Sequence, residues 1–160
     1  ALLDLVGFVD AAHATDLKTC RSVTGYVFTL AGGAIAYKSK LQTTVATSST
    51  EAEFVAAISA AKVAKYLRSV LDQLGFHQDH PTTLYEDNEA AIKMINKSRP
   101  MPRSRHIDIQ HFAIQEWCQE KSITMKYIST LINIADQKTK ALGWTLHSRH
   151  ARRSMGHYGV

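Results

Sequence analysis

The hydrophobic period of the chain changes at residue 50, and that change restricts the folds open to it. Before it, Leu2 to Val9 is apolar apart from Asp4. The runs Gly25-Tyr26-Val27-Phe28-Thr29-Leu30 and Ala34-Ile35-Ala36-Tyr37, on either side of Ala31-Gly32-Gly33, are rich in β-branched and aromatic residues. Such runs read as strands, and two of them about a short glycine-containing loop read as a hairpin. From residue 50 to 74, Phe54, Ile58, Ala61, Leu67, Val70, Leu71 and Leu74 recur at steps of three and four, the stripe of an amphipathic helix, and Gly75 ends it. Ala52, Ala56, Ala57, Ala60, Ala61 and Ala64 favour helix and allow it to lie close to a sheet. Pro81 then leads into Thr82-Thr83-Leu84-Tyr85, a short strand. A strand that follows so long a helix crosses over and pairs in parallel, whereas the hairpin is antiparallel. The result is a mixed sheet with helices packed on it.

The remaining elements follow the same signals. Asn88 is a good N-cap for a helix from Glu89 to about Asn96. Lys97, Arg99, Arg103 and Arg105, with Pro100 and Pro102, form a basic connector. Helical spacing returns from Ile107 to Cys118, Ile123 to Ile128 alternates as a strand, and Asp136 to Leu142 reads as a last helix. The order is βββαβααβα in an α/β chain. Residues 1–142 form one domain, and residues 143–160 form a tail that carries Arg149, Arg152 and Arg153 without an acid between Trp144 and Met155. That tail is expected to pack on the domain or extend it.

Four segments end an apolar run with an acid: Gly7-Phe8-Val9-Asp10, Ser48-Ser49-Thr50-Glu51-Ala52-Glu53, Leu84-Tyr85-Glu86-Asp87-Asn88 and Asn133-Ile134-Ala135-Asp136. Asp10 and Asp87 read as ends of neighbouring parallel strands, at the carboxyl edge where open α/β sheets place their sites. Asp136 and one of Glu51 and Glu53 fall in first turns of helices, whose dipole favours negative charge. Carboxylates gathered in this way repel one another and persist when hard cations fill the space between them. Composition agrees with such a site acting on a polyanion. Lys and Arg number 19 against 14 Asp and Glu, four of the acids belong to the cluster, and the body around it is basic.

Other classes are disfavoured. No apolar run approaches the roughly 18–20 residues of a membrane span, and no segment reads as a signal peptide. Cys20 and Cys118 have neither zinc spacing nor a disulfide framework, which fits a reducing, intracellular setting. The histidine pairs His77/His80, His106/His111 and His147/His150 lack the further ligands of a zinc set and read as surface or capping residues, and Trp117 and Trp144 read as core anchors. The chain starts at Ala1 rather than Met, as a processed or excised piece would.

The string Ser48-Ser49-Thr50-Glu51-Ala52-Glu53-Phe54, with Asp87-Asn88, Arg105-His106-Ile107-Asp108-Ile109 and Ala135-Asp136-Gln137-Lys138-Thr139-Lys140, resembles the ribonuclease H domain of copia-type LTR-retrotransposon polyproteins. So does Arg21-Ser22-Val23-Thr24-Gly25-Tyr26 followed by Gly32-Gly33-Ala34-Ile35. The resemblance runs from about Gly7 to Leu142 in family order. It implies the ribonuclease H-like fold, a five-stranded mixed sheet flanked by helices. It also implies an endonuclease that cuts the RNA strand of an RNA–DNA hybrid beside the reverse transcriptase domain of the same polyprotein, in the cytoplasm and in virus-like particles. Asp10, Glu53, Asp87 and Asp136 fall on the family's four acidic positions, which hold two Mg²⁺ ions, with Mn²⁺ as a substitute. Ser49, Thr50 and Asn88 match positions that touch the hybrid in relatives, and Arg105 belongs to the connector that would hold phosphates. Thr50 and Asn88 read equally as N-caps, and the connector equally as a solvated loop.

Glu53 is preferred to Glu51 because it precedes the apolar run Phe54-Val55-Ala56-Ala57, as the family's acid does. Spacing alone leaves both open, since Ser48–Glu51 and Thr50–Glu53 each fit a capping box. Several positions depart from the family. Glu86 stands where a cysteine is usual, and strand alternation excludes it from the cluster by pointing it away from Asp87. Lys138 is also expected to point away, and the loop before Asp136 has no histidine. These departures keep open an alternative, a weakened or inactive domain that binds nucleic acid or serves as a scaffold.

Overall fold

The computed structural model describes residues 3–96 and 105–156. Five strands, β1 (Val6–Ala12), β2 (Val23–Leu30), β3 (Gly33–Leu41), β4 (Thr82–Glu86) and β5 (Ile123–Tyr127), form one sheet in the order β3-β2-β1-β4-β5. The first three pair antiparallel, while β1–β4 and β4–β5 are parallel. This is the mixed sheet that the change of period predicts. The helices are α1 (Ser49–Gln73), α2 (Glu89–Asn96), α3 (Arg105–Gln119) and α4 (Trp144–Ser154).

Local chemistry accounts for the joints. Ala31 and Gly32 both take positive φ, 51° and 84°, the two-residue turn whose twist suits a hairpin. At the end of α1, Gly75 (φ 83°) donates its N–H to the Asp72 carbonyl, and Phe76 donates to that of Leu71. This pair of bonds is the Schellman motif, which a positive-φ residue permits. β1 begins at Val6, later than the apolar run suggests.

One face of the sheet carries the core. Leu5, Val9, Tyr26, Phe28 and Leu84 are buried with Phe54 and Ile58 of α1, and six alanines of that helix, Ala52 to Ala64, are fully buried. Without bulky side chains along that stripe, α1 lies close over β1 and β2. The opposite face is covered by a short 3-10 helix, Ile134–Lys138 (the Asp136 turn), and by α4 against it. Gly25, which pairs with Asp10, makes room for that turn. A Cβ there would lie 2.5 Å from Thr139 Cγ2, 3.0 Å from Lys138 Cβ and 3.2 Å from the Ala135 carbonyl oxygen.

Three expectations change at the C-terminal end. The helix expected from Asp136 to Leu142 is replaced by the Asp136 turn, and the last α-helix starts after Gly143. Trp144 is no core anchor, being 83% exposed. His150 is buried rather than on the surface, while His111, also buried, meets the Met94 carbonyl in the last turn of α2 as a capping residue would. Among the described residues, no helix is long and apolar enough to cross a membrane.

Candidate metal centre

A different local device delivers each acid. Asp10 lies inside β1, not at its end. The strand stays paired with β2 as far as Ala12 but with β4 only as far as Phe8, so it ends at the site on one side alone. The β1–β4 register, Val6↔Thr83 to Phe8↔Tyr85, carried two residues further brings Asp10 level with Asp87, the first residue after β4.

The start of α1 decides between the two glutamates. Ser48 is the N-cap, and its hydroxyl accepts the Glu51 N–H at 3.1 Å. Glu51 Oε2 in turn accepts the Thr47 N–H and hydroxyl at 2.6 and 2.8 Å. This is a capping box whose return bond falls one residue early, so Glu51 serves the helix end and Thr50 is not the cap. Because α1 begins at Ser49, Glu53 lies in the second turn rather than the first.

Asp136 is held by its neighbour. Asn133, fully buried, accepts the Ala135 N–H at 3.1 Å and donates from Nδ2 to the Val9 carbonyl at 2.8 Å. This pins the Asp136 turn to β1 beside Asp10. Thr139 reinforces the link by donating its hydroxyl to Asp10 Oδ2.

The carboxylates of Asp10, Glu53 and Asp87 offer oxygens that all lie within 4.8 Å of one another. Asp136, 1% exposed, adjoins this set, and its Oδ1 is paired with Lys140 Nζ at 2.5 Å. Lys138 points away, its ammonium 4.6 Å above the Tyr37 ring. Ser49 is exposed at the head of α1 and Thr50 is half-buried. Asn88 caps α2, its Oδ1 accepting the Ala91 N–H at 3.0 Å. The Arg105 side chain lies outside the described residues, as do Lys97, Arg99 and Arg103.

Glu86 lies beside this set. Alternation does put it on the α1 face with Leu84, opposite Asp87. Glu53 comes from that same face, however, and each of the two carboxyl groups acts on the other's ionisation. Glu86 therefore borders the cluster on the α1 face, while the carboxylates that meet within 4.8 Å are those of Asp10, Glu53 and Asp87.

Burial dominates the electrostatics. It pushes Asp10 up to about 6, aided by the charges of Asp87 and Asp136 and opposed by the Thr139 hydrogen bond. Burial also raises Glu53 and Glu86, with Glu86, Asp10 and Asp87 adding to the rise at Glu53, and Asp87 and Asp10 to that at Glu86. The hydrogen bond to Asp136 raises Lys140. His150 is fully buried, with no partner for either ring nitrogen among the described residues, and burial lowers its pKa against the pull of Asp136. Carboxylate oxygens from buried Asp10 and Glu53 and half-buried Asp87, with Glu53 Oε2 unpartnered, suit a hard divalent cation and not a soft one.

Sequence reasoning missed Glu86, Asn133, Thr139, Lys140 and His150. Lys140 follows Asp136 by four residues, a spacing that pairs side chains on a helix. The other four are placed by contacts distant in sequence.

No protein-family model matches the chain. The retrovirus-related Pol polyprotein from transposon TNT 1-94 of Nicotiana tabacum is 41% identical over 138 residues, 86% of this chain and 10% of the polyprotein. The chain thus spans about a tenth of that relative. LC11-RNase H1, solved in complex with an RNA/DNA hybrid, is similar with a TM-score of 0.61 at 15% identity, over 85% of this chain and 94% of that one. Prototype foamy virus protease-reverse transcriptase matches with a TM-score of 0.56 at 15% identity, over 99% of this chain and 21% of its own. At such identities the structural likeness speaks for the fold, which is that of ribonuclease H.

Proposed function

This chain belongs with the retrovirus-related Pol polyproteins of transposons, as a ribonuclease H-fold part of them, and we propose that it cuts the RNA strand of RNA–DNA hybrids. The observation that carries the proposal is the meeting of Asp10, Glu53 and Asp87 within 4.8 Å, with Asp136 alongside. These four would hold two Mg²⁺ ions, with Mn²⁺ as a substitute. When bound, the ions supply an activated water and neutralise charge at the leaving 3′-oxygen.

The chain's own groups have separate tasks. Thr139 and Asn133 fix the Asp136 turn against Asp10, so the ligands are set before substrate arrives. Lys140 holds a positive charge next to Asp136 in place of the histidine absent from the preceding loop. Ser49 and Thr50 stand two turns or less from Glu53, where their hydroxyls can meet the 2′-hydroxyls that mark RNA. Asn88 has its oxygen committed to α2, which leaves its Nδ2 group to donate. Arg105 would hold a phosphate. The likeness to a protease-reverse transcriptase supports action beside a reverse transcriptase of the same polyprotein.

The test is cleavage of a labelled hybrid with Mg²⁺. Wild type is expected to cut the RNA strand and Asp10→Asn to fall to background; equal rates would remove the catalytic reading. The additional buried acid Glu86, whose charge acts on Glu53, favours a second reading, a domain that binds hybrid without cutting it. In that case hybrid is retained in a salt-sensitive manner and stays intact.

A further inference from the structure

Glu86 has the least apparent reason to be an acid of any residue near the cluster. It closes β4, its side chain is fully buried, and the charges around it are those of Glu53, Asp10 and Asp87. Oε1 receives the Asn88 N–H at 3.1 Å, while Oε2 has no donor among the described residues. Glu53 Oε2 is likewise without one, and both side chains are buried on the α1 face of the sheet. A buried polar atom without a partner costs free energy, and a second acid facing it adds repulsion. A divalent cation at Glu53 relieves both.

We infer that Glu86 belongs to the divalent-cation site, as a positioning carboxylate behind Glu53 that tightens cation binding. The inference rests on the cation site proposed above. Its geometry follows from the strand end: consecutive residues leave β4 on opposite faces, so Asp87 approaches the site from one side and Glu86 backs Glu53 from the other. The Asn88 N–H fixes Glu86 by Oε1 and leaves Oε2 buried without a donor. Affinity at oxygen-ligand sites rises with the number of charges and with rigidity, and Glu86 contributes to both.

Binding of Mn²⁺, followed by electron paramagnetic resonance and by thermal melting, tests the inference without reference to cleavage. Glu86→Gln keeps the shape and removes the charge. It is expected to weaken Mn²⁺ binding roughly 10–100-fold, as loss of a group supporting a metal ligand does. It should also shrink the rise in melting temperature that Mn²⁺ produces, with no loss of stability in EDTA. Glu86→Cys, the residue usual in relatives, is a second neutral variant should the first fail to fold, and the same weakening is expected. Glu86→Asp keeps the charge and is expected to recover part of the affinity. A wild type that binds Mn²⁺, loses it in Asp10→Asn and binds it unchanged in both neutral variants overturns the inference and leaves the cation site standing. A wild type that binds no Mn²⁺ overturns both.

Discussion

Asp10 is a carboxylate that burial makes reluctant to ionise. Its ordinary value is 3.8 and folding raises it to about 6, so the folded cation-free protein holds this proton more tightly than the unfolded chain does. The resulting stability is full below pH 4 and is lost as pH rises through 6, amounting to about 3 kcal/mol from this group. Urea unfolding in EDTA between pH 4 and 7 should show that decline, and Asp10→Asn should make it shallower, the remainder coming from Glu53 and Glu86, which burial also raises. A decline equally steep in Asp10→Asn would remove Asp10 as a source. Mg²⁺ favours the ionised form and should restore stability above pH 6. The two glutamates of α1 divide their work at the same scale. Glu51→Gln, which weakens the cap, should cost about 1 kcal/mol in unfolding and leave cleavage nearly intact. Glu53→Gln should abolish cleavage with little loss of stability, and the reverse pattern would exchange their roles. The preference for Glu53 was legible because an apolar run follows it. Glu86 was not, because alternation in β4 gives the face of a residue and says nothing of what another element brings to that face.

Among the elements, those with a local cause were the legible ones. The hairpin follows from its glycine turn, α1 from its stripe of alanines and its terminal glycine, and α2 from Asn88. The Asp136 turn has no such cause. Its five residues owe their shape to a side chain that reaches the backbone of a strand 124 positions earlier, and no window of sequence contains that contact. Asn133 is the joint, with one end capping the turn and the other on Val9. Asn133→Ala removes both bonds in a site closed to water and should cost about 1–3 kcal/mol. Cleavage should fall more than the loss of folded protein explains, because Asp136 is then free to drift from Asp10. Melting curves and cleavage rates on the same samples would separate the effects. A variant destabilised but fully active per folded molecule would reduce Asn133 to a packing residue.

For the molecule as a whole, charge is divided between a small acidic focus and a basic surround. The helix at the end of the chain extends that surround to the edge of the site. α4 rests on the Asp136 turn through buried His150 and through Gln137 Nε2 donating to Ser154 Oγ at 2.9 Å, with Arg149 and Arg152 on its exposed side. If both arginines meet phosphates, Arg149→Ala with Arg152→Ala should weaken hybrid binding for every sequence and lower the slope of log affinity against log salt by about 2. An unchanged slope would leave the arginines as solubilising charge. The excess of positive charge was visible in composition, but its position beside Asp136 depends on how α4 packs. Gly25 has a different bearing, on how copies of mobile sequences are judged intact or ruined. Such judgements look for the acids and for interruptions of the reading frame. One methyl group at position 25 would come within 2.5 Å of Thr139 Cγ2 and 3.0 Å of Lys138 Cβ, so the Asp136 turn would have to shift against the sheet. A copy with that change would keep every carboxylate and pass inspection as a working gene, yet is expected to cut more slowly than an intact one; the residue that betrays it is the one with no side chain to notice.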